Sequence, residues 1–153
     1  MALTKFRNAP INPDRLREEW VAAGLGPLLP SVTIAGFTRL SPRRYEPFTE
    51  RRVVGVSVVD GTRVEDFADP GELRFALAQP LTPSEDASLD AVLAAHNPAV
   101  LSAEQVRQDQ DDADAAQLEA DFGAWDAMNN AQRFTALKRL VRLVIRRERS
   151  AAV

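Results

Sequence analysis

The last third of the chain consists of two segments of opposite charge in series. Residues 101–130 carry eight carboxylates against one base, a local charge of −7, and residues 131–153 carry seven bases against one acid, a local charge of +6. Asn129-Asn130 separates the two segments. Opposite charges attract at short range, so helices formed by these segments favour contact with each other. The sequence therefore predicts either an antiparallel hairpin of an acidic and a basic helix, or two helices that meet across subunits.

The basic segment has one apolar stripe with the three- and four-residue spacing of an α-helix. The stripe residues are Phe134, Leu137, Leu140, Val141, Val144 and Ile145. Such a helix buries its stripe on a partner and turns its bases to water or to acids. The interface residues predicted here are Phe134, Leu137, Val141 and Val144 for burial, and Arg139, Arg142 and Arg146 for polar contacts.

Upstream, residues 12–97 are predicted to form an α+β module. Asn12-Pro13-Asp14 has the residues of a helix start, and Thr82-Pro83-Ser84-Glu85 has those of a capping box. Asp60-Gly61, between alternating apolar residues, predicts a two-residue hairpin turn. The four predicted strands, expected as a small antiparallel β-meander with packed helices, are Ser31–Leu40, Arg52–Val59, Thr62–Phe67 and Glu72–Ala78.

Three segments connect or extend these parts. Residues 1–11 are interpreted as an extended N-terminal arm. Residues 41–50 are predicted to be a loop, and Tyr45 and Phe48 with the arginines around them suit either a docking loop or an ordinary hairpin connection. The boundary at residues 97–101 precedes a C-terminal helical assembly tail, residues 101–149.

Few residues of this chain are candidates for catalysis or metal binding. The chain has no cysteine and a single histidine, His96, at the predicted end of a helix. A lone histidine without a nucleophile motif favours a structural or surface role, so we expect no catalytic residues, no cofactor and no metal site. The acids at 109–114 lack the glycine and the final glutamate of an EF-hand and are interpreted as a solvated helix face. The alternative that these acids bind a divalent cation between subunits stays open.

Charge and hydropathy exclude some partners. A net charge of −3 argues against a nucleic-acid binder, whose domain is usually basic. No apolar run reaches the roughly 18 residues that cross a bilayer, and residues 1–10 lack the apolar stretch of a signal peptide. We therefore expect no membrane partner and no nucleic-acid partner.

Two stretches carry a resemblance to a protein class. Leu81-Thr82-Pro83-Ser84-Glu85, followed by Leu89 to Pro98, resembles a segment of small tail-associated proteins of tailed bacteriophages. Trp125 to Arg147, with a polar break and then a helix rich in leucine and arginine, resembles the closing helix of small phage virion proteins. Together the two stretches cover about 40 of 153 residues.

This resemblance implies a structural virion component of the tail, baseplate or fibre-attachment region, assembled in the host cytoplasm and located in the virion. Its partners would be other virion structural proteins and copies of itself, with no small-molecule substrate. The alternatives are a capsid decoration or head–tail connector protein, or a bacterial adaptor or regulatory protein that binds one partner through its basic C-terminal helix.

Overall fold

Strands and short helices occupy the first two thirds of the chain, and two long helices follow. The structure, a computed structural model, describes the backbone of residues 1–151 and the side chains in that range except those of Arg147 and residues 149–151. The side chains of Arg147 and Arg149, two of the seven bases of the basic segment, are therefore not described. The helices are α1 (Pro13–Ala22), α2 (Pro83–Ala95), α3 (Ala103–Gly123) and α4 (Asn130–Ala151), with a 3-10 turn at Trp125–Ala127. The strands are β1 (Ala2–Phe6), β2 (Ser31–Ile34), β3 (Phe37–Ser41), β4 (Arg44–Pro47), β5 (Arg52–Val59), β6 (Thr62–Ala68) and β7 (Glu72–Ala76).

The predicted α+β fold with a C-terminal helical hairpin is confirmed. The chain divides into two compact units, Met1–Ser102 and a second that begins at Ala103. The first holds all the strands with α1 and α2, and the second holds the pair of α3 and α4.

The strands form three small antiparallel sheets, in the orders β1-β7-β2, β3-β4 and β5-β6, where the sequence predicted one meander. The difference arises because β7 lies between the two strands that come earliest in the chain. The segment predicted as an N-terminal arm is extended, but it is the edge strand β1 of this sheet. It pairs along its whole length with β7, from Ala2 opposite Ala76 to Phe6 opposite Glu72.

The core of the first unit brings α1 and α2 together with the β1-β7-β2 sheet. Leu73 and Phe75 of β7 are fully buried, and Trp20 of α1 meets Phe75 edge-on with 5.6 Å between ring centroids. Leu89 of α2 is also fully buried in this cluster. Val21, which the helical pattern places beside Trp20, is more than half exposed. Burying each large apolar side chain contributes about 1.5–3 kcal/mol, so this cluster holds the first unit together.

The local turn and cap signals are confirmed where the sequence is most specific. The Asn12 side chain caps α1, and Thr82 and Glu85 form the reciprocal bonds of a capping box at α2. Asp60 and Gly61 have φ of 49° and 77°, the two positive values that a type I′ hairpin turn requires. The acidic helix occupies only part of the acidic segment, because it ends at Gly123 and is followed by the 3-10 turn.

Candidate functional site

The contact between α3 and α4 combines buried apolar side chains with ion pairs. Leu118 of α3 and Ala136 and Leu143 of α4 are buried. Arg139 forms an ion pair with Asp121, and Arg146 forms one with Asp114. The polar contacts predicted for both arginines lie within the chain, one of the two alternatives that the sequence left open.

Arg146 is the centre of this charged contact. Its Nε lies 3.2 Å from Oδ1 of Asp111, so one guanidinium holds two carboxylates of α3. The hydrogen bond from Arg146 is the main reason why the pKa of Asp114 lies below its ordinary value. The acidic and basic segments therefore neutralise each other where the two helices touch, as the hairpin interpretation predicted.

The side of α4 that does not contact α3 is apolar, and we call it the outer face of α4. It consists of Phe134, Leu137, Val141, Val144 and Ile145, all of them exposed. Their spacing of three or four residues places them on one side of the helix. Arg142 and Lys138 are exposed beside them, and the Lys138 Nζ lies 4.4 Å from the centroid of the Phe134 ring. Four predicted interface residues and Arg142 thus share one solvent-facing surface, and their use as an interface stays a prediction.

The turn that joins α3 to α4 is fixed by aromatic and capping contacts. The Phe122 and Trp125 rings lie 5.6 Å apart, and the Arg133 guanidinium stands 5.5 Å from the Trp125 ring while its Nε donates to the Trp125 carbonyl oxygen. The Asn129 and Gln132 side chains each accept a hydrogen bond from the other residue's backbone N–H. This reciprocal cap explains why α4 begins at Asn130, directly after Asn129.

The hairpin of β5 and β6 is a second exposed apolar surface, which we call the valine ribbon. Its exposed large apolar residues are Val53, Val54, Val56, Val58, Val59, Val64 and Phe67. Exposure reaches 71% at Val58. The prediction of a packed meander is wrong for this hairpin, whose apolar residues are exposed. No local signal predicted this exposure, because an uncharged strand such as residues 53–59 is usually buried on both faces.

Tyr45 and Phe48, the predicted docking residues, lie in or just after strand β4, so the expected loop at residues 41–50 is a β3–β4 hairpin instead. The backbone of Tyr45 exchanges two 2.9 Å hydrogen bonds with Ile11, and its ring packs on the core. Phe48 donates from its N–H to the Gly36 carbonyl oxygen, and its ring is covered by the Arg52 guanidinium at 5.0 Å. Both side chains are half-buried and stabilise the fold of the first unit.

His96 is buried and caps the C-terminal end of α2. Its Nε2 accepts a hydrogen bond from the Asn12 backbone N–H at 3.1 Å, and its Nδ1 lies 2.6 Å from Oε2 of Glu19. An accepting Nε2 places the proton on Nδ1, which donates to Glu19. Burial lowers the pKa of His96 below its ordinary value, so the neutral ring is favoured.

The acidic residues at 109–114 lie within the helix α3, so they do not form a calcium-binding loop. Within the part of the chain that the structure describes, no three histidine, aspartate or glutamate side chains gather closely enough to hold a metal ion. No helix among residues 1–151 combines the length and the apolar composition needed to cross a bilayer. The two apolar surfaces are therefore the features from which a function can be argued.

Comparison of this chain with protein-family models, with curated proteins and with solved structures finds no match.

Proposed function

We propose that this chain is a structural component of a tailed-bacteriophage virion that works by protein–protein assembly. The assignment to the virion rests on the resemblance carried by residues 81–98 and 125–147. Within the virion, the tail, baseplate or fibre-attachment region is the place that this resemblance favours.

The observation that carries the assembly role is the outer face of α4. Five large apolar side chains line one side of the helix, and the α3–α4 contact leaves them exposed to solvent. Monomeric soluble proteins seldom expose a contiguous apolar surface without using it for binding. Packing this face on a neighbouring subunit removes it from water, which is the main favourable contribution to association.

Charge beside the outer face of α4 supports its use as a specific interface. Lys138 and Arg142 are exposed on α4 beside this face. A neighbour that offers an acidic helix next to an apolar strip matches this surface, and a basic neighbour is repelled. Since Arg139 and Arg146 are engaged with α3, Arg142 is the predicted interface arginine best placed to meet a partner.

The test is the solution mass of the full-length protein, measured by light scattering at low and at moderate salt. We expect the wild-type chain to self-associate and Val141→Asp, which puts a charge in the outer face of α4, to reduce the mass. Thr135→Asp adds the same charge to an exposed position off the apolar stripe and is the matched control. An unchanged mass for Val141→Asp would remove the assembly role of this face.

Placement in the virion needs a separate experiment. An antibody raised against the protein should label purified particles of the phage that encodes it, and particles made with the Val141→Asp variant should carry less of it. Absence of the protein from purified particles would overturn the virion assignment while leaving the assembly of the isolated protein intact.

A further inference from the structure

The two edges of the valine ribbon differ in charge. Strand β6 carries Arg63, Glu65 and Asp66, while β5 has no charged residue between Val53 and Val59. The described residues pair these strands only with each other, so each strand has one outer edge that forms no ladder. Charged side chains on an edge strand oppose pairing with another strand, and a charge-free, proline-free edge invites it. The β5 edge is therefore the one open to a further strand.

The register of the ribbon identifies which β5 backbone groups point outward. The two-residue turn at Asp60-Gly61 closes on the pair Val59 and Thr62, which is a hydrogen-bonded pair in such hairpins. Pairs alternate along an antiparallel ladder, so the N–H and C=O groups of Val58 and Val56 point away from β6. A strand added at this edge must pair with these residues.

From these observations we propose that the β5 edge binds the β5 edge of a second copy, antiparallel and about a twofold axis at Val56. The result is a four-stranded sheet in the order β6-β5-β5-β6. This inference deepens the assembly role proposed above and rests on it, by naming a second copy of the chain as one partner and the valine ribbon as the contact.

Two charged residues, Arg52 at the start of β5 and Asp60 directly after its end, select this partner and this register. With Val56 on the axis, Arg52 lies opposite Asp60 of the partner subunit, and the same pair recurs at the other end. Between them, valine faces valine except where Gly55 faces Ser57 of the partner subunit, and apolar cross-strand pairs stabilise a sheet. A two-residue shift one way places Asp60 opposite Glu50 of the partner subunit, where like charges repel, and a shift the other way carries Arg52 past the end of the partner's strand.

A parallel arrangement of two β5 strands is disfavoured by the same charges, because it sets Arg52 beside its own copy. The β-bulge between Val53 and Gly55 falls opposite Val58 and Val59 of the partner subunit in the antiparallel register. Antiparallel ladders accommodate bulges, particularly near their ends.

The substitution Val56→Lys tests the contact between the two β5 strands without destabilising the β5–β6 hairpin. Within the chain, Val56 stands opposite Glu65, so a lysine gains an opposite charge across the hairpin. On the twofold axis the same lysine meets its own copy. Val64→Lys is the matched control, because Val64 is an exposed valine of β6, on the strand that the second copy does not touch.

The experiment measures solution mass in the full-length Val141→Asp protein, in which the added charge prevents association through the outer face of α4. We expect Val141→Asp to be a dimer, its combination with Val56→Lys to have half that mass, and its combination with Val64→Lys to stay a dimer. Far-ultraviolet circular dichroism checks that each protein keeps its fold. A monomeric Val141→Asp protein, or a mass that Val56→Lys does not change, would overturn the proposal.

A charge exchange gives a second readout that a folding defect cannot imitate. In the same background, Arg52→Asp and Asp60→Lys should each be monomeric alone, because like charges then face each other. An equimolar mixture should restore the dimer, since both ends of the mixed pair carry opposite charges. No gain in mass on mixing would refute the assigned register. The α4 proposal is judged separately, from Val141→Asp against wild type, so failure of one interface is distinguishable from failure of the other.

Discussion

His96 Nδ1 lies 2.6 Å from Oε2 of Glu19, which joins the end of α2 to the middle of α1 over 77 residues of chain. On the other side of the ring, the N–H of Asn12 donates to Nε2. Arg15 bonds the second oxygen of Glu19, and Arg7 donates to the His96 carbonyl oxygen. The imidazole therefore acts as a neutral crosslink between the start of one helix and the end of the other.

The stability of the protein should decrease as pH falls below about 6.5, the ordinary pKa of histidine. Burial lowers the pKa of His96 in the folded chain, outweighing the opposite influence of Glu19. The contribution of the neutral ring is complete above pH 6.5 and is lost as the pH falls toward the lowered folded pKa, because the unfolded chain takes up the proton first. Urea unfolding at pH 8, 6.5 and 5 measures this loss. His96→Gln is the control, and an equal pH dependence in both proteins would contradict the assignment.

Gly36→Ala should destabilise the first unit by about 3 kcal/mol or more. A Cβ at this position would stand 2.0 Å from the Asp69 carbonyl oxygen and 2.2 Å from the Glu72 nitrogen, both of them backbone atoms that cannot move independently. Gly55→Ala is the matched control, since the nearest atom to its Cβ is 3.6 Å away. Thermal unfolding followed by circular dichroism compares the two variants. A small effect at both positions would contradict the close approach of the Asp69 and Glu72 backbone to Gly36.

The ion pair of Arg139 and Asp121 should contribute a coupling of about 0.2–1 kcal/mol to the α3–α4 hairpin, in the range of partly exposed pairs. A double-mutant cycle with Arg139→Gln and Asp121→Asn measures this coupling from the free energy of unfolding. Because salt screens exposed charges, the coupling should be smaller at 1 M salt. Simple additivity of the two single substitutions at low salt would show that the pair is absent in solution.

Thr82→Ala should reduce stability by about 1 kcal/mol, since it removes the oxygen that accepts the Glu85 N–H at the start of α2. The same substitution should raise the pKa of Glu85, which hydrogen bonds from the Thr82 backbone N–H and hydroxyl hold below its ordinary value. Thr82→Ser keeps the hydroxyl and should resemble wild type in both respects. Carboxyl NMR titration with chemical denaturation makes the comparison, and a pKa unaltered by alanine would disprove the capping box.

The sequence predicted local structure well because the signals that fix it are short. Asn12, Thr82 and Asp60-Gly61 act through backbone groups two or three residues away, and each behaves as expected. The pairing of β1 with β7 was not predicted, since strand pairing across some 70 residues depends on which apolar faces meet in the core. The apolar face of α4 was visible from periodicity, whereas its exposure could be read only from the structure.

The sequence predicted which residues form the candidate site, but not which partner each of them contacts. Opposite charge foretold that α3 and α4 attract each other, but Arg139 and Arg146 could not be assigned in advance to a contact within or between chains. The exposure of the valine ribbon followed from no local rule, because an uncharged strand is usually buried on both faces.

The central position of β7 has a consequence for how the chain is synthesised. Residues 2–6 are translated well before the strand at residues 72–76, which is their only ladder partner among the described residues. Until that strand emerges, β1 and β2 have no sheet to join, and their apolar residues stay accessible to chaperones or to other nascent chains. The β5–β6 hairpin and the α3–α4 pair, by contrast, are built from neighbouring segments and can form as soon as each is complete. Folding of the first unit to its native state therefore waits at least until residues 72–76 have been translated.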